Sequence, residues 1–202
     1  LITFTFTGHI ALSSVAWVPE FIDRLGVSFA TWGTIIGFGV IGSITPLLFA
    51  SRLMMRFGSR TIIRIANYGG MIMLVALAWS NDPLVWFFIN AGFNFFMSLL
   101  GVSVNSHAVL VQKQISKNII GRLHAGWSLG AVGAAITGAL STVFMTLELF
   151  LLVVAIVTLI VFEFSLRWLL SSEEDGHLEE KAQVVKRRFW QMPQQLWLLA
   201  AG

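Results

Sequence analysis

The sequence predicts an all-α membrane protein, a bundle of six transmembrane helices followed by the start of a seventh. Three observations carry this. Of 202 residues, 56% are hydrophobic and 11% charged. A water-soluble domain carries about 25% charged residues, so a soluble fold of this chain would lack the means to cover its surface. Uncharged runs recur at about the 20-residue length a helix needs to cross hydrocarbon. Lys and Arg, finally, collect in alternate gaps between those runs, as cytoplasmic loops do.

The first run, residues 1–19, holds no Asp, Glu, Lys or Arg. It lacks the basic start and small-residue cleavage site of a signal peptide, so it reads as a first span whose beginning is missing. Thr5, His9, Ser13 and Glu20 form a polar stripe along it at helical spacing. The second run, 25–51, carries Gly33, Gly37, Gly42 and Pro46, small residues that let helices approach closely. A basic loop over 52–61 follows, its arginines Arg52, Arg56, Arg60 and Arg64 recurring every fourth residue. The third span covers 65–81 and the fourth 83–112.

The fourth span has Asn90, Asn94, Ser98, Gly101 and Asn105 on one face. Amides in hydrocarbon are costly without partners, so this face must meet other helices or water. The fifth span, 123–147, repeats Gly126, Gly130, Ala134 and Gly138, a packing ladder. The sixth, 149–166, contains one charge, Glu163, a turn before Arg167 in the favourable order for an i,i+4 pair. Three units result: a bundle over 1–170, a cytoplasmic central loop over 171–193, and a truncated seventh helix over 194–202. The chain reads as a piece of a longer one.

Twelve of the thirteen Lys and Arg fall in one set of alternate gaps; Arg24, beside Glu20 and Asp23, is the exception. The positive-inside rule then puts the N-terminus and the 171–193 loop in the cytoplasm of a cell (inner or plasma) membrane. Trp17, Trp32, Trp79 and Trp86 fall at the outer ends of spans, and Trp168, Trp190 and Trp197 near the inner face, as interfacial belts would. Trp127 sits about a turn inside the fifth span, either as a displaced belt residue or as a ring facing a cavity.

His9 and Asn94 each lie eight residues from an outer tryptophan, about 12 Å deep at about 1.5 Å per residue. That is near the midplane, where transporters hold substrate. They lead the candidates for solute contact, followed by Asn90, Asn105 and Trp127. Small changes in surroundings move an imidazole pKa across physiological pH, so His9, with Glu163, is a candidate for proton coupling. His107 and His124 lie near the cytoplasmic ends of their spans and are expected near each other at an inner gate. The absence of cysteine excludes disulfides and thiolate metal sites. No metal, cofactor or nucleic-acid partner is expected, and there is neither a phosphate-binding GxxxxGK loop nor an enzyme-like constellation. The expected partners are a small solute and the lipid bilayer.

The segment SRLMMRFGSR, 51–60, resembles the loop motif Gly-x-x-x-Asp-Arg-x-Gly-Arg-Arg/Lys of the major facilitator superfamily. Arg56, Gly58 and Arg60 match, Ser51 keeps a small residue, and Met55 stands where that family has aspartate. The resemblance makes Arg52, Arg56, Gly58 and Arg60 a gating loop, without the carboxylate latch. A second segment, residues 104–138, is similar to the fucose-permease-like branch, with Asn105 late in span four and HAGWSLG at 124–130. The resemblance implies the N-terminal half of a twelve-helix fold whose other half is the missing partner. It further implies a secondary active transporter, not an enzyme, moving a small polar solute such as a sugar by alternating access, with symport as one mode. A non-transporting receptor or scaffold, and a small-molecule efflux protein, are the alternatives. Efflux is disfavoured because span five lacks the family's drug-antiporter Gly-Pro pair and span four its buried arginine.

Overall fold

A computed structural model describes residues 1–170. The 171–193 loop and the 194–202 helix start lie outside the described residues. Eight α-helices follow in order: α1 Ile2–Leu12, α2 Val18–Leu25, α3 Phe29–Leu47, α4 Ala50–Phe57, α5 Ser59–Trp79, α6 Pro83–Ile115, α7 Ile120–Phe144 and α8 Leu147–Leu166. A 3-10 turn, Val15–Trp17, joins α1 to α2, and no strand occurs among the described residues. Five helices, α3, α5, α6, α7 and α8, are long and apolar enough to cross a membrane.

The expected first span is the one that differs. At 11 residues α1 is too short to cross alone. The Ser13 hydroxyl turns back to the Ile10 carbonyl at 3.1 Å, and Pro19 in the first turn of α2 has no N–H to continue the ladder. The segment 2–25 therefore runs as helix, tight turn, helix. Its second half, α2, is amphipathic, burying Phe21, Ile22 and Leu25. It ends where Gly26 takes a left-handed φ of 61° and the Val27 N–H bonds the Ile22 carbonyl.

Other boundaries follow from local chemistry. The Ser28 hydroxyl accepts the Thr31 N–H at 3.1 Å and starts α3. The Asp82 carboxylate accepts the Leu84 and Val85 N–H groups at 2.9 and 2.8 Å and starts α6, with Pro83 in its first turn. The expected basic loop over 52–61 is largely helical. Its first part is α4, which buries Ala50 and Met54 and exposes Arg52 and Arg56. Gly58, at φ 76° and ψ 151°, forms an elbow into α5 that a residue with a side chain would adopt under strain.

Packing follows glycine. A Cβ on Gly8 would run into the Trp127 carbonyl, and one on Gly130 into the Thr5 carbonyl, so α1 and α7 meet backbone to backbone. Gly126 and Gly138 extend that seam against Thr5 and Ser13, and Ala134 is buried in it. On α3 the expected faces change. Gly33 and Gly37 meet nothing, whereas Gly39 and Gly42 press on Asn90 and Ala91 of α6. The reason is phase: one hundred degrees per residue puts 39 and 42 on the face opposite α6. Helix α5 packs on α6 and on α8.

The ends of the bundle differ in charge. At one, Arg24 donates to the Ala78 carbonyl, to Glu148 and, at 3.2 Å, to Glu20. This ties α2, α5 and α8 together. Trp32 and Trp86 lie 4.8 Å apart beside Phe21, and the Trp17 indole donates to Ser141 at 3.1 Å. Trp86 is 2% exposed, so it and Trp17 are core side chains rather than belt residues. Flat indoles fill the space left where three helix ends converge. The opposite end carries Arg52, Arg56, Arg60, Arg64, Lys113, Lys117, Arg122 and Arg167, eight of the nine Lys and Arg among the described residues.

Replacing Gly130 or Gly42 by Leu forces backbones apart and costs about 1–3 kcal/mol or more. Gly33→Leu meets open space and stays within about 0.5 kcal/mol. Thermal melts followed by fluorescence-detected size exclusion separate the two classes.

Candidate functional site

The polar face of α6 divides along its length. Near the acidic end, Asn90 is buried against Gly39, whose missing Cβ makes room for the amide. Asn94 donates to the Asn90 carbonyl at 2.8 Å and to its Oδ1 at 3.2 Å. Among the described residues the Asn90 Nδ2 has no partner. Ser98 donates to the Ser43 carbonyl of α3 at 2.7 Å. This part of the face is therefore largely spent on the α3 seam.

Further along, the face turns toward α1 and α7. Phe4 and Thr7 of α1, Gly101, Val104 and Asn105 of α6, and His124 and Trp127 of α7 line a cavity of about 300 Å³. The Asn105 amide donates to Gly101 at 2.8 Å, leaving its Oδ1 and second N–H for other partners. His124 stands edge-on to Phe4, ring centroids 5.6 Å apart. Trp127 is 36% exposed and is among the residues lining this cavity. Trp127 lies seven residues into α7, about 10 Å from the start of the helix at about 1.5 Å per residue. The cavity thus sits on the basic side of the middle of the bundle.

His9 is elsewhere. Its Nε2 lies 3.0 Å from the Thr137 hydroxyl, in a separate cavity of about 240 Å³ walled mainly by α8. The Thr137 hydroxyl also lies 2.8 Å from the Gly133 carbonyl of its own helix. Phe6 and His9 lie on nearly the opposite side of α1 from Phe4 and Thr7, at 100° per residue. Asn94 bonds within α6 and His9 reaches α7, with no hydrogen bond between the two. The Thr5 and Ser13 hydroxyls of the same stripe turn onto their own helix backbone.

Two further expectations change. Glu163 does not pair with Arg167. It is forked by Arg64 of α5, at 2.8 Å to Nε and 3.2 Å to Nη2, because the α5 face lies closer than the next turn of α8. His107 and His124 do not meet either. His107 is buried, its Nδ1 2.8 Å from the Ser59 hydroxyl and its Nε2 accepting the Leu170 N–H at 3.2 Å. It bolts α5 to α6 and to the end of α8. Sequence reasoning missed this role, whose signal was a serine directly after the Gly58 elbow. In the basic segment, the Arg56 guanidinium sits 5.1 Å from the Phe57 ring centroid, and Arg52 projects outward from α4. No group of three His, Asp or Glu able to hold a metal occurs among the described residues.

The fold and cavity define a class: an all-helical chain with several membrane-length helices and a polar recess inside. The chain is similar to an uncharacterized transporter, y4wD, of Sinorhizobium fredii (strain NBRC 101917 / NGR234). The two are 27% identical over 145 residues, which is 71% of this chain and 38% of that protein. The chain thus spans well under two thirds of its relative. No family model and no solved structure matches it.

His107→Leu removes the imidazole that meets the Ser59 hydroxyl and the Leu170 N–H and lowers stability by about 1–3 kcal/mol. His124→Leu, at a half-open ring contact, stays within about 0.5 kcal/mol. Melting of the two variants side by side checks this.

Proposed function

We propose that this chain is the N-terminal half of a secondary transporter of the major facilitator superfamily, in the fucose-permease-like branch. It moves a small polar solute such as a sugar by alternating access. The observation that carries the reading is the recess between α1, α6 and α7. It brings an amide, an imidazole and an indole to one recess between three helices. An amide with free hydrogen-bonding capacity beside an aromatic face suits a hydroxylated solute, whose C–H face stacks while its hydroxyls bond. The transporter name of the S. fredii protein supports the same reading.

In this proposal Asn105 and Trp127 touch solute, and Asn90 and Asn94 set the α3 seam beside it. Of the titratable groups in the spans, His9 suits a coupling proton better than Glu163. His9 holds a single neutral partner, whereas both Glu163 carboxylate oxygens are already taken by the Arg64 guanidinium. The basic end faces the cytoplasm of the cell membrane, by the positive-inside rule. Gly58 and the arginines around it form the hinge segment on that side.

The test uses the full-length protein in liposomes, with counterflow of ¹⁴C-labelled aldohexoses as the probe. Saturable counterflow is expected, falling at least about tenfold for Asn105→Leu and Trp127→Ala at unchanged abundance, the loss of one to two good contacts. Wild-type rates in both variants would remove the cavity assignment. A protein that neither binds nor moves any hexose would favour the receptor reading. Orientation is checked independently because the chain has no cysteine. A cysteine placed at Lys117 reacts with an impermeant maleimide only in opened cells, whereas one at Asp82 reacts in intact cells.

A further inference from the structure

The seam between α5 and α8 carries more positive charge than its structure uses. The two helices run antiparallel, and Arg64 meets Glu163 across them. Arg60 precedes Arg64 by one turn on α5, and Arg167 follows Glu163 by one turn on α8. Both therefore lie on the seam faces, one turn of about 5.4 Å closer to the basic end. Three guanidiniums share the seam with one carboxylate. Among the described residues Arg60 and Arg167 have no ion-pair partner.

The surroundings are those of a membrane surface. Arg64 and Glu163 side chains are 47% and 37% exposed, so the pair lies on the outside of the bundle. Deeper along the same face, Ile65, Tyr68, Ile72 and Ile160 are exposed, and Phe164 is exposed at the level of the fork. Trp168 stands edge-on to Phe164 at 4.4 Å, at the level of the arginines. The order from the basic end inward is thus two unpaired arginines with an indole, an arginine–glutamate fork, a tyrosine, and then aliphatic surface. That order matches phosphodiester, glycerol ester and acyl chain. Guanidiniums bind phosphate in a fork, and long basic side chains reach up to the interface.

We propose that the α5–α8 seam is a binding site for an anionic phospholipid, with Arg60 and Arg167 holding the phosphodiester and Tyr68 at the ester level. Charge complementarity selects this occupant, because a net excess of two positive charges at the hydrocarbon edge favours a headgroup with net negative charge over a zwitterion. Arg64 is the reserve cation, held back by Glu163. The inference rests on the reading of this chain as membrane-spanning.

The experiment places full-length protein in nanodiscs of POPC with POPG, and measures the POPG-to-POPC ratio of lipid retained by mass spectrometry. Each basic residue near a membrane surface contributes about a fivefold preference for anionic lipid. The Arg60→Gln/Arg167→Gln variant, which keeps the Arg64–Glu163 fork, is expected to lose about 25-fold of the enrichment, with melting in pure POPC unchanged. Glu163→Gln releases Arg64 and is expected to raise enrichment about fivefold. Equal enrichment in wild type and the double variant would overturn the site. So would stabilisation by inorganic phosphate matching that by POPG, which would mark a soluble-anion site. Failure of the wild-type protein to enter POPC discs would overturn the membrane reading along with the inference. Insertion without enrichment would overturn the inference alone.

Discussion

A polar group surrounded by hydrocarbon must find a partner, and this requirement organises the bundle. Free backbone groups are satisfied inside each helix. Side chains have three ways out, and the structure shows each. Thr7 and Ser13 turn onto their own helix backbones. Ser98, His9 and His107 reach across to another helix. Asn105, with capacity left over, borders a recess. The glycine seams serve the same requirement, since polar groups on adjacent helices bond only when the backbones come close. Gly39 admits the Asn90 amide, and Gly130 brings Thr5 and His9 against α7.

The long apolar runs were legible in the sequence because hydrocarbon thickness sets a length that composition alone reveals. The expected second to sixth runs correspond to α3, α5, α6, α7 and α8. What the runs did not reveal was interruption. Ser13, Ser14 and Pro19 leave residues 1–19 uncharged, so a charge-based reading passes over the break between α1 and α2. The 52–61 segment differs for the converse reason: dense charge reads as loop, but charge spaced every fourth residue is itself helical, and α4 is amphipathic.

The candidate site was legible by residue type but not by direction. Asn105 and Trp127 come together because their helices meet α1 on one side. His9 points the other way, since two positions along a helix turn a side chain by about 200°. Depth, read from distance to tryptophan, was therefore insufficient without azimuth. Glu163 shows the same limit. An i,i+4 neighbour within a helix is visible in sequence, whereas the guanidinium that takes the carboxylate arrives from a helix about a hundred positions away.

Helix α6 is 33 residues long, about 50 Å at about 1.5 Å per residue, against a hydrocarbon core of about 30 Å. It also touches α1, α3, α4, α5 and α7. A rod of this length can fit a thin slab only by leaning or by protruding. Its lean is then shared with most of the bundle, since so many neighbours are fastened to it. Lipid tail length thus becomes a mechanical input: a thicker leaflet stands the mast upright, and a thinner one tips the whole rigging with it.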